Sequence, residues 1–259
     1  MKRFLKISLL SLLFLLLLSV GGFVMWAETP ARPGPTALAA LESDERVYVF
    51  QREDHIVFYP AICEAKIAEE NRTGQPHTIT AFVFYPGGRV DYRAYAPALR
   101  KIAEEGIIVF LLRVRLNLAF FDIEAGAPLL SQTEGVDVWT AGGHSLGGVA
   151  ASLFAQNHPE VRAVVFWASY PADERFKAAE LPVLSVYGTL DGLASPDRIQ
   201  QSRVLLPSAA RFVPIEGGNH AQFGDYGLQN GDNLASISPE AQWQQAAQVT
   251  ASFLQTLSP

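Results

Sequence analysis

Short, mostly apolar runs recur along this chain, and stretches with helical spacing lie between them. The runs at residues 107–112 and 136–141 have the composition of buried strands, and those at 78–85, 161–168, 182–187 and 209–215 also read as strands. Two earlier runs, 47–50 and 56–59, flank a polar turn at 51–54 and read as strands. Asp91 can cap a helix over 92–105, which Gly106 stops. From Leu146 the apolar spacing becomes that of a helix with an Ala-rich face. Residues 196–206 predict another helix. Ser238, followed by Pro239 at the first helical position, opens a last one that runs to about Leu257. Residues 63–71 fit more than one state, and 117–130 are apolar and irregular. Antiparallel strands followed by βαβα alternation predict an α/β fold: a mainly parallel twisted sheet with helices on both faces. In such sheets reactive groups gather at the carboxyl ends of the strands.

The first residues follow another rule. Residues 7–27 carry no charge, come after Lys2, Arg3 and Lys6, and are about as long as a membrane span requires. A retained signal-anchor and a cleaved signal peptide both fit. Cleavage after Ala27 would put Met25 where a small residue is wanted, and Trp26 suits the far interface, so the anchor is favoured. Either way the positive end stays inside and the rest of the chain is expected outside the cytoplasm. Residues 28–44, with Pro30, Pro33, Gly34 and Pro35, predict a stiff extended tether with no core of its own. The folded domain is then 45–259.

Candidate chemistry sits at three strand ends. Gly143-His144-Ser145-Leu146-Gly147 fits G-x-S-x-G between a strand and a helix. A strand turning straight into a helix holds the apical residue at positive φ, and the flanking glycines let backbone approach without a Cβ clash. Ser145 would then project above the sheet, and the free N–H of Leu146 would point where an oxyanion forms. Asp191 lies just beyond the run at 182–187, and His220 just beyond the run at 209–215. A serine hydroxyl needs a base to take its proton, and that base needs an acceptor to fix its tautomer. Ser145, His220 and Asp191 can meet at one end of the sheet in those roles. Asp173 and Asp197 are alternative acids. His55, His77 and His158 sit in polar turns or before proline, and His144 is inside the elbow, where it would adjust packing beside the serine.

These motifs resemble the α/β-hydrolase fold family over residues 45–257, most strongly at 143–148, 187–192 and 218–220. More narrowly, Tyr85-Pro86-Gly87-Gly88 and the sequence from Gly218 to Gly224 resemble a small bacterial branch, similar in outline to dienelactone hydrolases and small carboxylesterases. The chain departs from dienelactone hydrolases, which use a cysteine nucleophile. It departs from many relatives in having Pro86-Gly87 where they have His-Gly. The resemblance implies acyl transfer to water through an acyl-serine, with Gly88 as the second backbone oxyanion donor and no metal or organic cofactor. Ester and amide substrates use the same groups, and a non-catalytic binding domain could share the fold. Larger lipases insert a helical lid after the strand at 161–168. Here there is no room for one, so a small or open pocket and a small-molecule substrate are expected. Phe120, Phe121, Tyr170, Phe223 and Tyr226 are candidates for its wall, and Arg113 and Arg115 could meet an anionic substrate.

Composition narrows the rest. A net charge of −6 without a basic run beyond the first residues argues against nucleic acid as a partner. The single cysteine, Cys63, excludes an internal disulfide and a Cys-based metal site, and reads as a small buried apolar residue. Asp225, Asn230 and Asp232, interleaved with glycines, read as turn residues, with a calcium loop as the other reading.

Overall fold

The computed structural model describes residues 2–74 and 77–259, the side chains of 2–11 and Asn71 excepted. In chain order the helices and strands are α1 (Lys2–Ala27), α2 (Pro35–Ala39), β1 (Val47–Gln51), β2 (His55–Pro60), α3 (Ala61–Thr73), β3 (Thr80–Tyr85), α4 (Ala96–Glu104), β4 (Ile108–Leu112), α5 (Ala127–Gln132), β5 (Val138–His144), α6 (Leu146–Asn157), β6 (Val161–Trp167), β7 (Val183–Gly188), α7 (Pro196–Gln201), β8 (Arg211–Ile215) and α8 (Pro239–Leu254). The strands form one sheet in the order β1-β2-β4-β3-β5-β6-β7-β8. β2 runs antiparallel to both its neighbours, and the remaining pairs are parallel. This is the expected α/β architecture.

Strand pleating divides the core. Along β3, Phe82 and Phe84 face a layer containing α4 and α8, while Ala81, Val83 and Tyr85 face the layer of α3 and α6. All six residues of β3 are buried, as a mostly apolar run in mid-sheet requires. Cys63 is buried in the second layer, in keeping with its apolar reading. The segment 63–71, ambiguous in sequence, belongs to α3, which ends at a left-handed Gly74 with φ 69°. The helix expected over 92–105 starts as a short 3-10 turn whose Arg93 N–H donates to Asp91, and α4 follows.

The N-terminal region departs from expectation. Residues 28–44 are not a free tether; they lie along the domain. Ala37 and Leu41 are buried, which gives the segment a share of the core. The Asp225 carboxylate accepts from the Ala37 N–H at the start of α2 (2.8 Å), and the Asp225 carbonyl accepts from Gly34 (2.7 Å). Arg100 donates to the Ala40 and Glu42 carbonyls and pairs with Asp44 at 2.6 Å. Prolines stiffen the segment, yet side chains far away in sequence supply the partners its backbone needs. Helix α1 ends in contact with the domain, and Ala27 is fully buried there. Its side chains from Leu12 to Leu18 are exposed. Among the described residues no helix is long and apolar enough to cross a membrane. The side chains of Lys2, Arg3 and Lys6 and those of residues 7–11 lie outside the described residues.

Candidate active site

Strand β5 passes into α6 through Ser145, which holds φ 52° and ψ −123°. That positive φ on a non-glycine residue is the strain expected of the elbow. The flanking glycines are required sterically. A Cβ on Gly147 would stand 2.1 Å from the Tyr85 carbonyl oxygen, and one on Gly143 would stand 2.5 Å from the Gly147 carbonyl carbon. The apex is fixed by its backbone. Ser145 N–H donates to the Trp167 carbonyl (3.0 Å), and its own carbonyl accepts from the Ser169 hydroxyl (2.6 Å) and Gly148 N–H (3.1 Å). The Ser145 hydroxyl makes no hydrogen bond among the described residues, and the residue is partly exposed.

Asp191 and His220 meet beyond β7 and β8. The Asp191 Oδ2–His220 Nδ1 distance is 2.8 Å, and both side chains are almost wholly buried. A carboxylate can only accept, so the shared proton sits on Nδ1. The other carboxylate oxygen of Asp191 accepts from the Leu193 and Ala194 N–H groups at 2.8 and 2.7 Å, which holds the acid in one orientation. The alternative acids lie elsewhere: Asp173 chelates Arg175 at the surface, and Asp197 sits in the first turn of α7.

Three residues whose bridging role the sequence did not reveal hold these loops together. Asp232 accepts from Gly192 N–H (2.9 Å) in the acid loop and from Ala221 N–H (2.8 Å) after the histidine, so one carboxylate bridges both. Gln242 of α8, fully buried, accepts from Asn219 N–H and donates to the Asn219 carbonyl. Asn219 Nδ2 in turn donates to the Asn233 carbonyl at 2.7 Å. The aspartates considered for a calcium loop thus direct their oxygens to backbone N–H groups, as turn and capping residues do. Among the described residues no cluster of three or more His, Cys, Asp or Glu is placed to hold a metal ion.

A buried polar pair lies behind the elbow. The His144 ring packs 4.5 Å from the His220 ring and stacks on Phe223 at 5.4 Å. Its Nδ1 lies 2.9 Å from the Tyr95 hydroxyl, and that hydroxyl accepts from Gly87 N–H at 3.0 Å. Burial first, and the neighbouring His220 second, keep the His144 pKa well below the ordinary histidine range. His144 Nδ1 and the Tyr95 hydroxyl thus share a hydrogen bond whose donor is set by the imidazole tautomer. Gly87 N–H, spent on Tyr95, is turned away from any substrate. The N–H groups of Gly88 and Leu146 donate to nothing among the described residues. A Cβ on Gly88 would stand 2.7 Å from Leu146 Cδ1, so the two lie side by side. Tyr95 looks like an ordinary core aromatic in sequence, and no spacing betrays its partners.

The candidate wall residues separate. Phe223 is 0% exposed and packs between His144 and Trp167, and Tyr226 is buried near Tyr95; both belong to the core, because the histidine loop folds inward over the 3-10 turn at 92–95 and against α8. Tyr170, next to Ser169, is partly buried, whereas Phe120 and Phe121 are exposed. Arg115 is largely exposed and 3.7 Å from Asp122. Arg113 lines two open clefts of about 880 and 670 Å³, which share Glu28 and Asn117 and include none of Ser145, Asp191 and His220.

Among curated proteins no sequence matches the chain. Solved structures share its fold, two of them over most of its length. Est1E from Butyrivibrio proteoclasticus superposes with a TM-score of 0.54 at 12% identity, covering 82% of this chain and 100% of that one. A predicted CIB-like hydrolase from Thermoplasma acidophilum gives 0.53 at 14% identity, covering 82% and 98%. The sequence pattern of the alpha/beta hydrolase family matches residues 81–244, a span from β3 into α8 that contains the elbow, Asp191 and His220. The chain belongs to the alpha/beta hydrolase family.

Proposed function

We propose that the protein is a serine hydrolase that cleaves a small carboxylic ester through a Ser145–His220–Asp191 triad. The observation that carries this reading is the buried Asp191–His220 pair, whose imidazole packs 4.5 Å from the residue preceding a serine held at positive φ. His220 Nε2 takes the Ser145 hydroxyl proton as Oγ bonds to the substrate carbonyl carbon. The Gly88 and Leu146 N–H groups stabilise the resulting oxyanion; one such donor is worth about 3 kcal/mol in a worked case. His220 then gives the proton to the leaving alcohol as the C–O bond breaks, leaving an acyl-serine. Water, deprotonated by His220, attacks this ester, and the carboxylic acid leaves as Ser145 regains its proton. Asp191 holds the imidazole in one tautomer and stabilises its cation. The reaction is like that of small carboxylesterases; the serine separates it from dienelactone hydrolases.

A second proposal concerns location. We place the domain outside the cytoplasm, held at a membrane by the uncharged run at residues 7–27. Its support is that sequence run and the exposure of the apolar side chains on α1 from Leu12 to Leu18.

The test of the triad uses a fluorophosphonate probe and an ester panel on the wild type, Ser145→Ala, His220→Ala and the double variant. The probe should label the wild type and not Ser145→Ala. Each single variant should lose ester turnover by roughly a thousandfold or more, and the double variant hardly further, because the residues act as a unit. Asp191→Asn should lose a comparable factor, and Asp173→Asn almost none. Full turnover in folded Ser145→Ala would remove the acyl-serine mechanism.

A further inference from the structure

We propose that Arg89 is a positioning residue that couples the N-terminal segment from Trp26 to Ala31 to the oxyanion loop, and so sets where the Gly88 N–H points. This rests on the serine-hydrolase reading for its catalytic half and on geometry alone for the coupling. Arg89 follows Gly88 directly, and its hydrogen bonds tie the loop to the N-terminal segment and to the turn after β4. Nε donates to the Trp26 carbonyl at 3.0 Å, and Nη2 donates to the Thr29 carbonyl at 2.9 Å. The guanidinium lies over the Trp26 ring, 4.2 Å from its centroid. The backbone N–H donates to the Asn117 carbonyl at 2.7 Å, and the backbone carbonyl accepts from Ala31 N–H at 2.8 Å. Asp91 N–H returns a bond to the Ala31 carbonyl at 2.9 Å, so Ala31 and Val90 pair as a short parallel bridge.

The turn facing Arg89 is fastened to the same segment. Asn117 Nδ2 donates to the Ala27 carbonyl at 3.1 Å, and Phe121 meets Phe23 edge-on at 5.9 Å. Arg89, Leu116 and Asn117 all hold φ near 55°, at 57°, 55° and 51°. Non-glycine residues stay in that region only where their surroundings over-determine it. Here the surroundings are supplied largely by residues 23–31. On the inner side the loop is held by Tyr95 through Gly87 N–H. Gly88 thus lies between an inner clamp and an outer one, and Arg89 is the outer clamp. A lysine cannot replace it, since one ammonium cannot reach two carbonyls in a fixed fork and stack flat on an indole.

The experiment compares full-length wild type, Arg89→Ala, Arg89→Lys and Trp26→Ala. Kinetics are expressed per active site titrated with a fluorophosphonate, so misfolded protein does not count. For Arg89→Ala the expected result is about a tenfold fall in kcat with KM within twofold. The inhibition constant of a trifluoromethyl ketone, whose adduct carries the oxyanion, should weaken by the same factor. The pH profile should stay in place, because the base is untouched. Arg89→Lys should not rescue, and Trp26→Ala, which keeps the carbonyl acceptor, should fall between. Amide exchange over residues 86–91 should rise in the same order. An unchanged kcat and inhibition constant per titrated site, with exchange unchanged, would overturn the proposal. Should Arg89→Ala fail to fold, Trp26→Ala alone decides between these results. If neither probe nor ester engages the wild type, the hydrolase reading fails instead, and the exchange measurement then judges the coupling by itself.

Discussion

His144 shows how much one buried residue contributes that its sequence position does not reveal. It lies inside the elbow motif, where the sequence suggests only packing. In the fold it faces Tyr95 through Nδ1, His220 across the rings and Phe223 by stacking. Because burial lowers its pKa, the native state resists protonating it while the unfolded chain does not. Its stabilising share is therefore complete above the unfolded pKa, near 6.5, and is lost as pH falls below that value. One such proton gives a slope of at most about 1.4 kcal/mol per pH unit. Denaturant unfolding of wild type between pH 7 and 5 should show falling stability, and His144→Asn should show a shallower decline over that window. Equal slopes would mean the imidazole is protonated in the folded state. At this scale the positive φ of Ser145 and the Asp191–His220 contact were legible, since each of the three residues ends a recognisable strand. Tyr95, Asp232 and Gln242 were not, because each acts on a backbone group remote in sequence, and no local spacing encodes such a pairing.

The elements were read well where burial alone determines them. Strands β3 to β8 match the expected runs to within a few residues; for the inner strands β3 to β7 this is because a strand buried on both faces must be mostly apolar. The final helix begins at the expected Ser238 cap, whose hydroxyl accepts from Ala241 N–H. The strand–elbow–helix unit β5–Ser145–α6 sets the tightest demand. Gly147→Ala would drive a methyl to 2.1 Å from the Tyr85 carbonyl and 2.5 Å from that of Pro86, both backbone atoms that cannot swing aside. The variant should lose about 1–3 kcal/mol, and any folded fraction should lose probe labelling, since Ser145 and the oxyanion loop must part. Gly21→Ala on α1 meets nothing within 4 Å and should do neither. Labelling retained at the wild-type rate in Gly147→Ala would show the elbow tolerates that separation. Residues 28–44 were misjudged at this same scale. Proline content predicts stiffness correctly, but stiffness does not exclude docking when Arg89, Arg100 and Asp225 wait on the domain surface.

For the whole molecule, the N-terminal segment and the catalytic domain are one packed body at their junction. If residues 7–27 span a bilayer, washed membranes should retain the full-length chain through high salt and alkaline carbonate. Recovery of a shortened, freely soluble form would sink the anchor and support cleavage. The sheet carries a further implication. β8 is an edge strand, bonded only to β7, and it includes Pro214, which can donate nothing to a ladder. Edges are where sheets fray, and His220 hangs from this one. Yet the histidine loop is also bound to α8 through Gln242 and to the acid loop through Asp232. His220 thus has two attachments that bypass its own strand. A protein engineer could therefore recode the exposed positions of this edge, Arg211 and Pro214, for solubility, provided the carboxylate and the amide that carry the histidine stay where they are.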